Sequence, residues 1–212
     1  LRQGRDDLIV VMAYSPPHVS HYQLTIEPNT AYAADPPELP VDDVLDEIQE
    51  SCHALLWQQG WQQYEISAWA RPERESRHNL NYWHYGDYLG IGAGAHGKIT
   101  QLSSGQVYRY ARVKHPKQYL SAFEKKHWNS EAQHIAPKDL IFEFFFNGLR
   151  LRKGVSLRHF PERTGIPLEQ VQARLDEGLD RGLLALEGDQ IRATDLGWRF
   201  MNDLQAIFLP ED

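Results

Sequence analysis

Residues 42–70 have the sequence DDVLDEIQESCHALLWQQGWQQYEISAWA, and this stretch decides the predicted fold. Its first part places apolar side chains three or four residues apart, which is the spacing of a helix with one buried face. We therefore predict a helix over Asp42–Gln59, which ends at Gly60 because glycine favours the left-handed turn after a helix. Tyr64–Ala70 follows as a predicted strand.

Two further predicted strands complete the first part of the chain. His18–Glu27 alternates polar and apolar side chains and stops at Pro28, which predicts a strand before the helix. A helix between two strands favours a right-handed βαβ crossover with parallel pairing. Tyr88–His96 is predicted as a third strand, so the expected fold class is α/β.

The last third of the chain has a different pattern. Three predicted helices precede a hairpin and a closing helix, which is typical of a small winged-helix-like α+β domain. These elements are Asp139–Leu151, Leu157–Thr164, Leu168–Gly182, the strands Leu183–Glu187 and Gln190–Ala193, and Thr194–Phe208. We predict two domains, residues 1–135 and 136–212. The third of these helices carries more acidic than basic residues, so we expect a packing or docking role and no DNA binding.

Composition and charge exclude several classes of protein. The chain has 212 residues, a net charge of −7 and one cysteine, Cys52. The acidic balance argues against general nucleic-acid binding. A single thiol excludes an internal disulfide framework, a cysteine-rich zinc site and a complete thiolate-ligated iron–sulfur cluster. No apolar run is long enough to span a membrane, and no signal peptide is recognised, which favours the cytoplasm.

The segment GIGAGAHG at residues 90–97 contains the GxGxxG spacing at Gly92, Gly94 and Gly97. A dinucleotide-binding fold needs a helix that begins inside this motif and binds the pyrophosphate. The following residues lead to a Ser-Ser-Gly turn instead, so we reject that interpretation. Two others stay open: backbone amides that cradle a ligand, or a strand that packs tightly against its neighbours.

A second candidate site is RHNLNYWHY at residues 77–85, with two histidines, two tyrosines and a tryptophan. Such a segment can stack on a flat aromatic ligand and offer an imidazole to a metal ion. The alternative is a structural role, in which the histidines satisfy backbone groups.

Five motifs, in this order, carry a resemblance to a known family. They are HVSHYQLTIEPNT at 18–30, YEISAWAR at 64–71, HNLNYW at 78–83, DYLGIGAGAHG at 87–97 and NGLRLRKG at 147–154. With these motifs the chain resembles the C-terminal half of radical SAM proteins related to oxygen-independent coproporphyrinogen III oxidase. Within that family it is most similar to the haem chaperone (HemW) branch.

The resemblance implies a partial (β/α) radical SAM barrel followed by the winged-helix-like domain. It also implies S-adenosylmethionine and a [4Fe-4S] cluster, held in the family by a CxxxCxxC loop that this sequence lacks. Because the chain also starts at Leu1 within a predicted helix, we expect it to be part of a longer protein. By itself it is expected to be inactive in radical chemistry.

The resemblance also assigns roles to individual residues. The HNxxYW motif implies haem binding by His78, Asn79, Tyr82 and Trp83, with His78 as the ligand of the haem iron. Contacts to S-adenosylmethionine are implied at Thr25, Gly92, Gly94 and His96.

The implied function is a haem chaperone whose partners are haem and recipient haem proteins. Two alternatives stay open: an oxygen-independent coproporphyrinogen III oxidase and a non-catalytic interaction module. Peripheral membrane association and the oligomeric state are also left open by the sequence.

Overall fold

The computed structural model describes residues 2–101, 103–124 and 127–210. The chain divides after Ser76 into two compact units. The elements of the first unit are α1 (Arg2–Ala13), β1 (His18–Ser20), α2 (Ala31–Ala34), α3 (Asp42–Gln58), β2 (Gln62–Glu65) and β3 (Ala68–Ala70). The three strands form one sheet in the order β1-β3-β2.

The core of the first unit lies between α1, α3 and the sheet. The predicted apolar face of α3 is buried at Cys52, Leu55 and Leu56, where it packs with Trp61 and Trp69. The helix ends as the sequence predicts, because Gly60 has a φ of 86° and its N–H donates to the carbonyl of Trp57.

The predicted parallel pairing is wrong, because β3 pairs antiparallel with both β1 and β2. The predicted strand Tyr64–Ala70 in fact contains the end of β2, a turn at Ile66 and Ser67, and β3, so it belongs to both strands of a hairpin. Glu65 stabilises the turn, since its Oε1 accepts a hydrogen bond from the Ser67 N–H at 3.1 Å. The predicted strand at His18 is also shorter and ends at Ser20.

The second unit contains two more antiparallel sheets, in the orders β4-β5-β6 and β7-β9-β8. Its elements are α4 (Arg77–Trp83), β4 (His96–Gln101), β5 (Gln106–Arg112), α5 (Pro116–Glu124), β6 (Asn129–His134), α6 (Pro137–Gly148), β7 (Val155–Ser156), α7 (His159–Thr164), a 3₁₀ helix (Leu168–Val171), α8 (Gln172–Asp180), β8 (Leu184–Glu187), β9 (Gln190–Ala193), α9 (Asp195–Arg199) and α10 (Met201–Ala206).

The core of the second unit centres on α6. Its Phe144 and Phe145 are fully buried and contact Phe160, while Phe145 stacks on Phe208 with 4.0 Å between ring centroids. The predicted hairpin is confirmed as β8 and β9. The predicted closing helix is divided into α9 and α10, because Phe200 leaves the helical conformation with φ −109° and ψ 47°.

The predicted third strand over Tyr88–His96 is wrong. Tyr88 forms one isolated bridge with Lys98, and regular strand structure begins at His96. Gly92 and Gly94 have φ angles of 108° and 72°, which are incompatible with a continuous strand. The segment is therefore a loop that leads into β4.

Candidate functional site

The helix α4 places two of the four predicted haem-binding residues side by side. His78 and Tyr82 are four residues apart and so lie on one helix face. Their ring centroids are 4.8 Å apart, and the ring planes meet at 65°. Tyr82 in turn contacts Tyr88, with 4.6 Å between the ring centroids. His78 is exposed, whereas the two tyrosines are half-buried. The result is a row of three aromatic rings that ends in an accessible imidazole.

The other two predicted residues, Asn79 and Trp83, also share a helix face, but it is a different one. Trp83 is half-buried, and the guanidinium of Arg150 lies over its ring at 4.5 Å from the centroid. The Trp83 Nε1 is buried, and no described residue accepts a hydrogen bond from it. The four residues of the motif therefore lie on two faces of α4, one with the exposed His78 and one on which Trp83 contacts Arg150.

A partly buried polar network holds the chain directly after α4. The Tyr85 hydroxyl donates to Glu143 Oε2 at 2.7 Å, and Arg109 donates to both Glu143 oxygens at 2.8 and 2.7 Å. Burial, followed by the charge of Glu143, raises the pKa of Tyr85 far above its usual range. The Tyr85 phenol is therefore neutral at pH 7, where it donates its proton to the hydrogen bond with Glu143.

A second polar group fixes the start of the glycine-rich loop. The Lys98 ammonium is 3.0 Å from Asp87 Oδ1 and lies over the Tyr85 ring at 4.1 Å. Asp87 also accepts hydrogen bonds from the backbone and the hydroxyl of Thr100. Although burial raises the pKa of the Asp87 carboxyl, the hydrogen bonds from Thr100 and Lys98 outweigh it and leave that pKa below its usual value.

His84 follows α4 and faces another histidine. Its ring is 6.1 Å from the ring of His159, and the Nδ1 atoms of both are buried without a hydrogen-bond partner among the described residues. Burial, and then the electrostatic interactions with His159 and Arg163, lower the pKa of His84. His84 is therefore neutral at pH 7.

The glycine-rich loop uses several of its own backbone amides. The Gly90 N–H donates to the Tyr110 hydroxyl at 2.9 Å, the Gly92 N–H to Tyr119 at 3.2 Å, and the Gly94 N–H to a backbone carbonyl at 3.0 Å. These three donors are occupied within the protein, which favours the packing interpretation at these positions. The rejection of a dinucleotide fold holds, since β4 and not a helix includes Gly97.

The predicted contacts to S-adenosylmethionine lie in different units. Thr25 is an exposed residue of the first unit, in the irregular segment after β1. Gly92, Gly94 and His96 belong to the second unit, where His96 is exposed at the first position of β4. Gly92 and Gly94 lie in the loop that leads directly to His96. Thr25 belongs to the first unit.

Among the described residues, no group of three or more histidine, cysteine, aspartate or glutamate side chains is placed to hold a metal ion. Within the same residues, no helix has the length and apolar character needed to cross a membrane. Cys52 is buried in α3, where burial raises the pKa of its thiol, as expected for an unreactive core residue.

The sequence did not indicate Glu143, Arg109 or Lys98 as neighbours of the aromatic segment. Glu143 is 58 residues from Tyr85 and 34 from Arg109 along the chain. The spacing of residues within a short segment does not predict contacts between residues that are so far apart in the sequence. The only local signal was Asp87, which stands at the start of a motif that the sequence singled out.

Known proteins resemble the chain along its full length. Residues 135–200 match the family described as the HemN C-terminal domain. The chain is 42% identical over 212 residues to heme chaperone HemW of Haemophilus influenzae and 40% identical over 211 residues to heme chaperone HemW of Escherichia coli K12. All of this chain is covered in both comparisons, against 54% of each relative. The chain thus spans about half the length of these curated relatives.

A solved structure also resembles the chain. Coproporphyrinogen III oxidase (HemN) from Escherichia coli, a radical SAM enzyme, superposes with a TM-score of 0.68 at 18% identity. The superposition covers 95% of this chain and 50% of the enzyme. It confirms the predicted mixed α/β fold class, and the sequence relatives confirm the family expected from the motifs. The chain is therefore similar over its whole length to about half of the heme chaperone HemW proteins, and its residues 135–200 match the HemN C-terminal domain.

Proposed function

We propose that this chain supplies the haem-binding part of a haem chaperone. The observation that carries the proposal is the exposed His78 imidazole, packed edge-on against Tyr82 at 4.8 Å on α4. The names of the relatives, heme chaperone HemW, support haem as the cargo. Its partners would be haem and the haem proteins that receive it, and we predict a cytoplasmic location.

The proposed site suits the chemistry of haem. A neutral imidazole offers a nitrogen lone pair to iron, and histidine is a common axial ligand. Tyr82 and Tyr88 present aromatic surface beside His78, against which a flat apolar macrocycle can pack. No described residue forms a hydrogen bond with the His78 ring, so ligation would not require an existing bond to break.

Asn79 and Trp83 have a supporting role in this proposal. Because they share the face on which Trp83 contacts Arg150, they would hold α4 in place while His78 and Tyr82 contact the haem. Thr25, Gly92, Gly94 and His96 stay candidates for contacts to S-adenosylmethionine. A [4Fe-4S] cluster requires thiolates beyond Cys52, the single cysteine of this chain. Radical chemistry would therefore need residues outside these 212.

We also propose that the chain has two domains, residues 1–135 and 136–212. The match to the HemN C-terminal domain begins at residue 135, which supports this boundary. The winged-helix-like part then contains α6 to α10 and the sheet β7-β9-β8.

Haem titration of the purified chain tests the function. We expect a Soret shift on binding and at least a tenfold loss of affinity in His78→Ala, since the iron ligand is removed. His115→Ala is the matched control, because His115 is also exposed and lies outside the motif. Identical Soret maxima and affinities in wild type and His78→Ala would overturn the assignment of His78.

The second candidate function is oxygen-independent decarboxylation of coproporphyrinogen III. The superposition on HemN favours it at the level of fold. Turnover of this substrate by the full-length protein with its cluster restored would support the oxidase. Haem binding that depends on His78, without such turnover, would support the chaperone.

A further inference from the structure

Two arginines that follow α6 contact two different tryptophans. The Arg150 guanidinium lies 4.5 Å from the centroid of the Trp83 ring, on α4, and the Arg152 guanidinium lies 3.9 Å from that of Trp198, on α9. Both contacts have the geometry of a cation–π interaction. They differ in what they hold, since only the first reaches the helix that carries His78.

The helix α4 depends on such contacts for its position. It has seven residues, and helices of this length are unstable alone, so tertiary packing must define its geometry. Within the second unit α4 packs against α6. The Tyr85 ring, just beyond α4, also contacts Phe144 of α6, with 6.1 Å between the ring centroids. The Tyr85 hydroxyl donates a hydrogen bond to Glu143 of the same helix.

We propose that Arg150 is a positioning residue for the haem site, acting on His78 through Trp83 and the backbone of α4. This inference rests on the proposed function. Asn79 and Trp83 lie on one face of α4 and His78 and Tyr82 on another, so a shift of Trp83 rotates the helix and with it the imidazole. The segment Asn147–Gly154, which carries Arg150, thereby becomes part of the haem site without touching haem.

The expected effect follows from a population argument. Without the guanidinium, α4 samples several orientations, and only some of them present His78 correctly. The apparent dissociation constant rises in inverse proportion to the fraction of molecules that remain competent to bind. A contact of this strength corresponds to a weakening of about threefold to tenfold.

The test compares matched variants of the whole chain by haem titration. We expect Arg150→Met to weaken haem binding about threefold to tenfold and to alter the Soret band of the complex. Arg152→Met removes a similar cation–π contact elsewhere, together with an exposed ion pair to Asp195 at 3.5 Å, so its haem affinity should stay within about twofold of wild type. Arg150→Lys should be intermediate, because lysine retains the charge but not the planar group. Urea unfolding of both methionine variants measures their free energies of unfolding. A change in haem affinity can then be distinguished from a general loss of stability.

Equal haem affinities in Arg150→Met and Arg152→Met would overturn the inference. If Arg150→Met does not fold, Arg150→Lys and Arg152→Lys are compared instead, and equal affinities in that pair would also overturn it. His78→Ala keeps the two proposals apart. No change in His78→Ala refutes the haem site itself, whereas a loss in His78→Ala with none in the Arg150 variants refutes only the positioning role.

Discussion

Replacing Asp87 with alanine should destabilise the protein much more than replacing Lys98 with methionine, although the two side chains form one ion pair. The Lys98 side chain is 2% exposed and the Asp87 side chain 35% exposed, with 3.0 Å between Nζ and Oδ1. Removing Asp87 therefore leaves a buried ammonium without its carboxylate. It also removes the acceptor of the Thr100 backbone N–H. Removing Lys98 leaves a carboxylate that Thr100 and water still satisfy.

The magnitudes follow from this asymmetry. Breaking a buried pair from one side costs about 3–5 kcal/mol, and the partial exposure of Asp87 favours the lower end, about 3 kcal/mol. Lys98→Met eliminates the buried charge and keeps an apolar stem against the Tyr85 ring. We expect a cost within about 1 kcal/mol, because replacing a buried charge with an apolar side chain is often neutral.

Urea unfolding followed by circular dichroism measures both free energies, provided that the m-values agree. Glu187→Ala is the control, because it breaks the exposed pair with Arg192 at 2.9 Å and should cost about 0.5 kcal/mol or less. A loss of stability in Lys98→Met as large as in Asp87→Ala would refute the reasoning. It would mean that the attraction within the pair, and not the burial of the ammonium, dominates the energy.

Three further predictions concern pH, a glycine and the aromatic core. The pKa of His84 is lowered in the folded protein, so the unfolded chain takes up the proton at a higher pH than the folded one. The free energy of unfolding therefore falls as pH decreases below about 6.5. His84→Asn should reduce the dependence of this free energy on pH between pH 7 and 5. Gly154→Ala should lower the free energy of unfolding by more than about 2 kcal/mol in the same urea assay, because a Cβ would collide with the Ile191 carbonyl. Gly182 has a similar φ but open space around it, so Gly182→Ala should cost about 1 kcal/mol. Phe208→Ala should cost about 3–5 kcal/mol by urea unfolding, and a cost below about 1 kcal/mol would contradict the stacked geometry of this ring in the core.

The sequence predicts those elements whose signals are local. The helix α3 was recognised from apolar spacing and a terminal glycine, and the β8–β9 hairpin from two short runs around Gly188. The pairing of β3 was not predictable in this way. Whether Tyr64–Ala70 forms one strand or part of a hairpin depends on a turn at Ile66 and Ser67, where the Ser67 N–H donates a hydrogen bond to the buried Glu65.

The candidate site shows the same limit. The sequence analysis predicts no helix over residues 77–85, so the helix face that His78 and Tyr82 share is known only from the structure. The sequence also does not say what Trp83 contacts. That partner is Arg150, 67 residues further along the chain, and only the folded second unit brings the two together.

The exposure of His78 bears on whether the proposed site would retain haem or transfer it. A protein that keeps haem for catalysis gains by burying it, since burial slows dissociation and affinity is set mainly by the dissociation rate. His78 instead lies on the outer face of a helix of seven residues, with its aromatic partners on one side. Haem bound there through one ligand would keep an accessible face. Such a site favours transfer of haem to a recipient, because the recipient can approach its ligand before the bond to His78 breaks.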